Sequence, residues 1–195
     1  MHARLTTRQI EPGRIDEAIG IYRDTVVPAV SQQQGSKGGL VMTDRGTGKV
    51  MTISLWETEA DLRAYEPSSA TDAFSKEAPV RDVYEVGVGA QTSEGREATG
   101  ARVSYAQVQP GKMDEFHDFY RDSLLPVAEK ERGYSGALVL TDQNTYKSVV
   151  ITLWKADADM RASESFGDLQ TQRSKLLDLI TGSRVVEYYE VNLQV

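Results

Sequence analysis

The stretch YRDTVVP, Tyr22 to Pro28, returns as YRDSLLP at Tyr120 to Pro126. Sliding the chain on itself by the same 98 positions aligns Ala3–Glu66 with Ala101–Glu164 without a gap, and 27 of those 64 pairs are identical. The period is too long for a solenoid unit and suits a small domain written twice. The chain therefore reads as a first domain over 1–89, a linker over 90–100 and a second domain over 101–195. The linker AQTSEGREATG, Ala90 to Gly100, is rich in Gly, Ser, Thr and Glu and reads as a solvated connection.

Each half carries the same succession of signals. Ala3–Ile10 and Ala101–Gln109 read as strands, and the Pro-Gly that follows opens a helix. Ile15, Ala18, Ile19, Tyr22 and Val26 fall on one helical stripe, as do Met113, Phe116, His117, Tyr120 and Leu124. Pro28 and Pro126 remove an N–H from that helix and predict a bend, and Gly35 and Gly133 suit its C-terminal cap. Two strands joined by a hairpin follow, LVMTD to MTISLW and LVLTD to VVITLW, then a short polar helix from Glu59 or Asp157 and a last strand. After Glu66 the second half needs about seven extra residues before Tyr189-Glu190-Val191 meets Tyr84-Glu85-Val86.

The order βαββαβ is that of the ferredoxin-like split unit, so the fold class is α+β. Such a sheet packs helices on one face, and two copies can cover each other's bare faces. The expectation is two ferredoxin-like domains pairing their sheets into a pseudo-dimeric α+β barrel. Met51, Ile53 and Leu55 suit the inter-sheet face, whereas Thr52, Ser54 and Trp56, which carry hydroxyls and an indole, suit the helix side and a space less than fully packed.

Composition narrows the function. There is no cysteine, which excludes disulfides, thiolate metal sites and cysteine nucleophiles. With only His2 and His117 as imidazoles, no metal site is expected, and His2 is expected to lie outside the ordered fold. A formal net charge of −7 and the lack of a Lys/Arg cluster argue against nucleic acid. No apolar run approaches a membrane span, and MHARLTTRQI has no secretory signal, so a cytoplasmic location is expected. RGTGKV lacks the earlier Gly and the Ser/Thr of a phosphate loop, and GVGAQTSEG opens no helix, so neither is a nucleotide motif.

VVP…G…LWETEADLRAY and LLP…G…LWKADADMRAS resemble the antibiotic biosynthesis monooxygenase family of the dimeric α+β barrel superfamily. That family builds its barrel from two chains, so the resemblance implies a fused pseudo-dimer here, with a further homodimer left open. It also implies oxygenation of a small aromatic polyketide- or quinol-like compound without haem, flavin or metal. Trp56 and Trp154 match the family tryptophan that borders the cleft. Tyr65 and Glu66, or Ser163 and Glu164, stand where the haem-degrading branch has its iron-ligating His, which disfavours haem. Thr52 and Val150 replace the Asn that the polyketide-oxidising branch uses.

Within this frame the second half is the better expected site. His117, where the first copy has Ile19, is the general base for a phenol or carbon acid, or a satisfied core residue. Tyr120 and Arg102 are its polar anchors and Trp154 a stacking wall; Trp56, Tyr22 and Arg4 are the matching binding residues of the first half. The rival reading is a non-catalytic small-ligand-binding or stress-associated barrel in which these side chains are core.

Overall fold

The computed structural model describes residues 1–75, 77–89, 98–165 and 167–195. Most of the expected linker, 90–97, lies outside the described residues. The first repeat forms β1 (His2–Gln9), a helix in three parts, β2 (Ser36–Asp44), β3 (Lys49–Trp56), α3 (Glu59–Ala64) and β4 (Val80–Val88). The second forms β5 (Gly100–Val108), its own three-part helix, β6 (Tyr134–Thr141), β7 (Lys147–Trp154), α6 (Asp157–Ala162), α7 (Gly167–Leu176) and β8 (Ile180–Gln194). This is the α+β architecture expected, βαββαβ twice, with α7 occupying the extra length of the second copy. Among the described residues no helix is long and apolar enough to cross a membrane.

Two compact units result, and they do not end where the repeats end. Unit 1 is Met1–Glu85 with Glu190–Val195, and unit 2 is Val86–Tyr189. In unit 1 the antiparallel order is β4-β1-β3-β2, the ferredoxin-like order, with the end of β8 added beside β2 through Leu40↔Gln194 and Thr43↔Glu190. In unit 2 it is β8-β5-β7-β6, with the end of β4 beside β6. His2 is not outside the fold: it opens β1, opposite Trp56 and Glu85.

YRDTVVP accounts for the shape of the long helix. α1 (Ile15–Ile21) runs into one wide π-helical turn, Tyr22–Val26, and then α2 (Val27–Ser31) with Pro28 in its first turn. The Val27 N–H donates to the Tyr22 carbonyl, five residues back. α4 (Met113–Phe119), the wide turn Tyr120–Leu124 and α5 (Leu125–Ala128) repeat this, with the Leu125 N–H donating to the Tyr120 carbonyl. A proline ring inside an α-helix collides with the carbonyl four residues back, and widening the preceding turn gives the ring room. The bend expected at Pro28 and Pro126 is thus a π-turn.

Gly35 and Gly133 sit at φ 73° and 75°, in the turn between helix and strand rather than at the cap itself. Their carbonyls accept from the N–H of Glu57 and Lys155 at 2.7 and 2.8 Å. A Cβ at either would collide with Asp61 or Asp159 at the start of the following helix. On the sheet face turned from the helices of unit 1, Ala3, Leu5, Leu40, Met42, Met51, Ile53 and Leu55 are all buried, each of the larger ones worth about 1.5–3 kcal/mol.

His117 finds its partner in the core of unit 2. Its Nε2 lies 3.0 Å from the hydroxyl of fully buried Thr141, and Gly87 passes so close to the ring that any side chain there would strike it. The first repeat has Ile19 and Thr43 at these positions, and the buried Thr43 hydroxyl has no partner. His117 is therefore half-buried, with Thr141 as a hydrogen-bond partner.

Two stability outcomes follow. Gly35→Ala and Gly133→Ala should each lower unfolding free energy by more than about 1 kcal/mol, because positive φ and the Asp contact act together; denaturant titration checks this. His117→Ile should cost about 1–3 kcal/mol by orphaning Thr141, and Thr141→Val in the same chain should recover most of it. A double-mutant cycle by denaturant unfolding reads the coupling directly.

Candidate functional site: a cationic cavity in the first half

A cavity of about 680 Å³, counting the space at its open mouth, lies between the long helix and the sheet of unit 1. Strand alternation builds its floor. Arg4, Thr6 and Arg8 share one face of β1, and the register sets Arg4 beside Ser54 and Thr6 beside Thr52 on β3. Thr6 also lies opposite Arg81 on β4, while Ser54 lies opposite Gly39 and Thr52 opposite Val41 on β2. The floor is therefore hydroxyls and guanidinium groups. The roof is apolar, Val26, Val27 and Val30 from the wide turn and α2, with Tyr22 beside them. Tyr65 closes one end.

The lining contains three arginines and no Asp, Glu or His, in a chain of formal charge −7. Arg4 donates from Nη2 to the Leu62 carbonyl at 2.7 Å and from Nη1 to the Tyr65 carbonyl at 3.2 Å. These neutral acceptors cap the end of α3 and leave the charge uncancelled by hydrogen bonding. Burial, and then the nearby charge of Arg81, hold the Arg4 guanidinium below its ordinary pKa. An arginine remains a cation under such pressure, so an anion entering here is stabilised. Arg8, 5% exposed, pairs through Nη1 with Asp72 at 2.6 Å.

Of the residues singled out from sequence, Arg4 and Tyr22 line this cavity. Trp56 does not reach it. Fully buried, it stands behind the wall, where its indole N–H donates to the Ser54 hydroxyl at 2.9 Å and its ring packs on Tyr65 at 5.4 Å. It contacts two lining residues and does not itself border the cavity.

The second half, expected to hold the better site, carries bulkier apolar groups among its described residues at the corresponding place. Tyr120, Leu124, Leu125, Ala137, Val139, Val150, Trp154 and Leu176 belong to one buried cluster. Against the first half, Leu124 and Leu125 replace Val26 and Val27, Ala137 replaces Gly39 and Val150 replaces Thr52, while α7 brings in Leu176. Arg102 is 7% exposed and occupied, its Nη1 3.1 Å from the Ser163 hydroxyl and 3.8 Å from Glu164. Trp154 donates to the Thr152 hydroxyl at 3.0 Å, and Tyr134 meets its ring edge-on. Tyr120, Arg102 and Trp154 are thus buried side chains of unit 2, His117 is half-buried there, and none of the four lines the cavity.

Thr6, Arg8, Thr52, Ser54, Tyr65, Thr71 and Arg81 also line it and were not proposed as site residues. Two signals pointed to them: the shared parity of Arg4, Thr6 and Arg8, and the contrast of Tyr65 with Ser163 between the copies. Among the described residues no cluster of His, Asp and Glu could hold a metal.

No family model matches the chain. The chain is 25% identical over 210 residues to the uncharacterized protein Rv2558 of Mycobacterium tuberculosis, which spans all of this chain and 84% of that protein. Among solved structures, a candidate monooxygenase of Fusobacterium nucleatum matches with a TM-score of 0.80 at 13% identity, covering 99% of this chain and 93% of its own. An anthrone oxidase-like protein matches at 0.68 and 12% identity over 100% and 92%. A ferredoxin-fold protein of Listeria monocytogenes related to antibiotic biosynthesis monooxygenases matches at 0.59 and 11% identity over 98% and 94%. At these identities the likeness is one of fold, and it runs the length of the chain: the fold is the ferredoxin-like α+β fold of the antibiotic biosynthesis monooxygenase-related proteins.

Proposed function

We propose that the first-half cavity binds a small, weakly acidic aromatic compound, of the polyketide or quinol type, in its anionic form, and lets it react with O2 without a bound cofactor. The observation that carries this is the pairing of an apolar roof with a floor where Arg4 and Arg81 face hydroxyls and, among the described residues, no Asp or Glu side chain lines the space. A cavity with an apolar roof and a few polar groups on its floor suits a flat organic ligand. The fold shared with an anthrone oxidase-like protein supports the same chemistry by analogy.

For an anthrone the step balances without further reagents. The ring CH2 loses a proton, the negative charge settles on the ring oxygen, and Arg4 holds that oxygen. The carbanionic carbon adds O2, and the hydroperoxide expels water to leave a quinone carbonyl, so one CH2 and one O2 become one C=O and one H2O. Oriented cations that favour the ionised substrate lower its pKa, and this is the contribution the lining can make. No His, Asp or Glu side chain among the described lining residues takes the proton, so it leaves to water at the open mouth. That same shortage of a base favours, as the second reading, a barrel that binds such an anion and does not turn it over.

Val26→Leu, Val27→Leu and Thr52→Val together copy the second half into the first and should abolish binding of a dihydroxyanthrone, measured by calorimetry under nitrogen, while the circular dichroism spectrum stays unchanged. Arg4→Gln should weaken binding by at least about tenfold, or about 1.4 kcal/mol, and lower O2 uptake in parallel. Binding without O2 uptake would select the second reading, and undiminished binding by the filled triple variant would remove the cavity from the function.

A further inference from the structure

Arg8 lines the cavity with its hydrogen bonding incomplete. Its side chain is 4% exposed, Nη1 is engaged by Asp72 at 2.6 Å, and its Nε is buried without a partner. A guanidinium presents Nε and Nη2 along one edge, away from Nη1, and that edge receives a carboxylate through two parallel N–H···O bonds. An orphaned buried donor lowers stability, and the fold does not require this one, because the second repeat has Ala106 at the same place on its strand. Thr71, 1% exposed, lines the cavity as well.

Arg4 and Arg8 lie on one strand face with Thr6 between them, their Cα atoms about 13 Å apart. The cavity therefore has two cationic ends with different surroundings. Arg4 keeps its charge against neutral carbonyls, whereas Arg8 is already balanced by Asp72. The balanced end suits a singly charged, planar group recognised by geometry better than a dianionic phosphate, which needs surplus positive charge.

We infer that the ligand is an aromatic carboxylic acid whose carboxylate occupies the Nε–Nη2 edge of Arg8 while its ionised ring oxygen meets Arg4. This rests on the aromatic-anion reading of the cavity given above and adds a second anchor, which fixes the ring's direction in the cavity.

The test compares a dihydroxyanthrone with the same compound bearing one ring carboxylate, titrated calorimetrically under nitrogen into the whole chain and into Arg8→Lys and Arg8→Gln. The acid should bind the unaltered chain at least about tenfold more tightly. Both variants should erase the preference, so that the acid and the parent compound bind each variant within about twofold of one another. Equal affinity of the two compounds for the unaltered chain overturns this inference and leaves the cavity reading standing, a result that needs no variant to fold. A preference that survives Arg8→Gln overturns the assignment to Arg8. Displacement of the acid by inorganic phosphate overturns the carboxylate specificity. If neither compound binds, the aromatic-anion reading falls and this inference with it.

Discussion

Everything between helix and sheet in this protein depends on a proline that cannot donate a hydrogen bond. Pro28 and Pro126 each force the preceding turn to widen, and the Tyr that opens each wide turn is buried beneath it, 4% and 3% exposed. The two repeats therefore share a helix of the same make. With the scaffold fixed twice over, the difference between a cavity and a core comes down to side-chain volume: a methylene each at Val26 and Val27, a methyl at Gly39, and the hydroxyl of Thr52. Protein interiors are packed to near-crystalline density, so a few such groups decide whether a space is filled.

Much of this was legible in the sequence because it rests on period and on duplication. The 98-residue offset, the helical stripe and the two-residue alternation of MTISLW are local patterns, and they gave the elements, the ferredoxin-like order and the hydroxyl-bearing face that became the cavity floor. Which half stays open was not legible. It depends on how Leu124, Leu125 and Val150 meet Leu176, and Leu176 arrives on a helix formed by extra residues with no counterpart in the first copy. Nor was the partner of His117. A lone imidazole on an apolar stripe reads as chemistry until a buried Thr141 is found facing it from a strand 24 residues away. Arg8 carries no repeat signal, because Ala106 stands opposite it in the alignment.

The electrostatics invert the balance of the whole. A chain with seven more acidic than basic side chains gathers three arginines around one cavity and lets only neutral carbonyls cap the most buried end of Arg4. The general field of an acidic surface repels anions, whereas the cavity attracts them at short range, where low-dielectric walls strengthen the interaction. In the second repeat the same arginine position meets Ser163 and Glu164, so the protein's own carboxylate lies beside that guanidinium.

The exchange of strand ends sets a clock on this arrangement. Val195 lies against Gly39 with reciprocal backbone bonds of 2.9 and 3.1 Å, and neither Gly38 nor Gly39 has room for a side chain there. One wall of the cavity is thus contributed by the end of β8, although most of its floor comes from β1 and β3, far earlier in the chain. During synthesis the second unit can close its ferredoxin-like sheet as soon as β8 begins to emerge, while the first waits with an unpaired edge on β2. The half that carries the cavity is made before the other and completed after it.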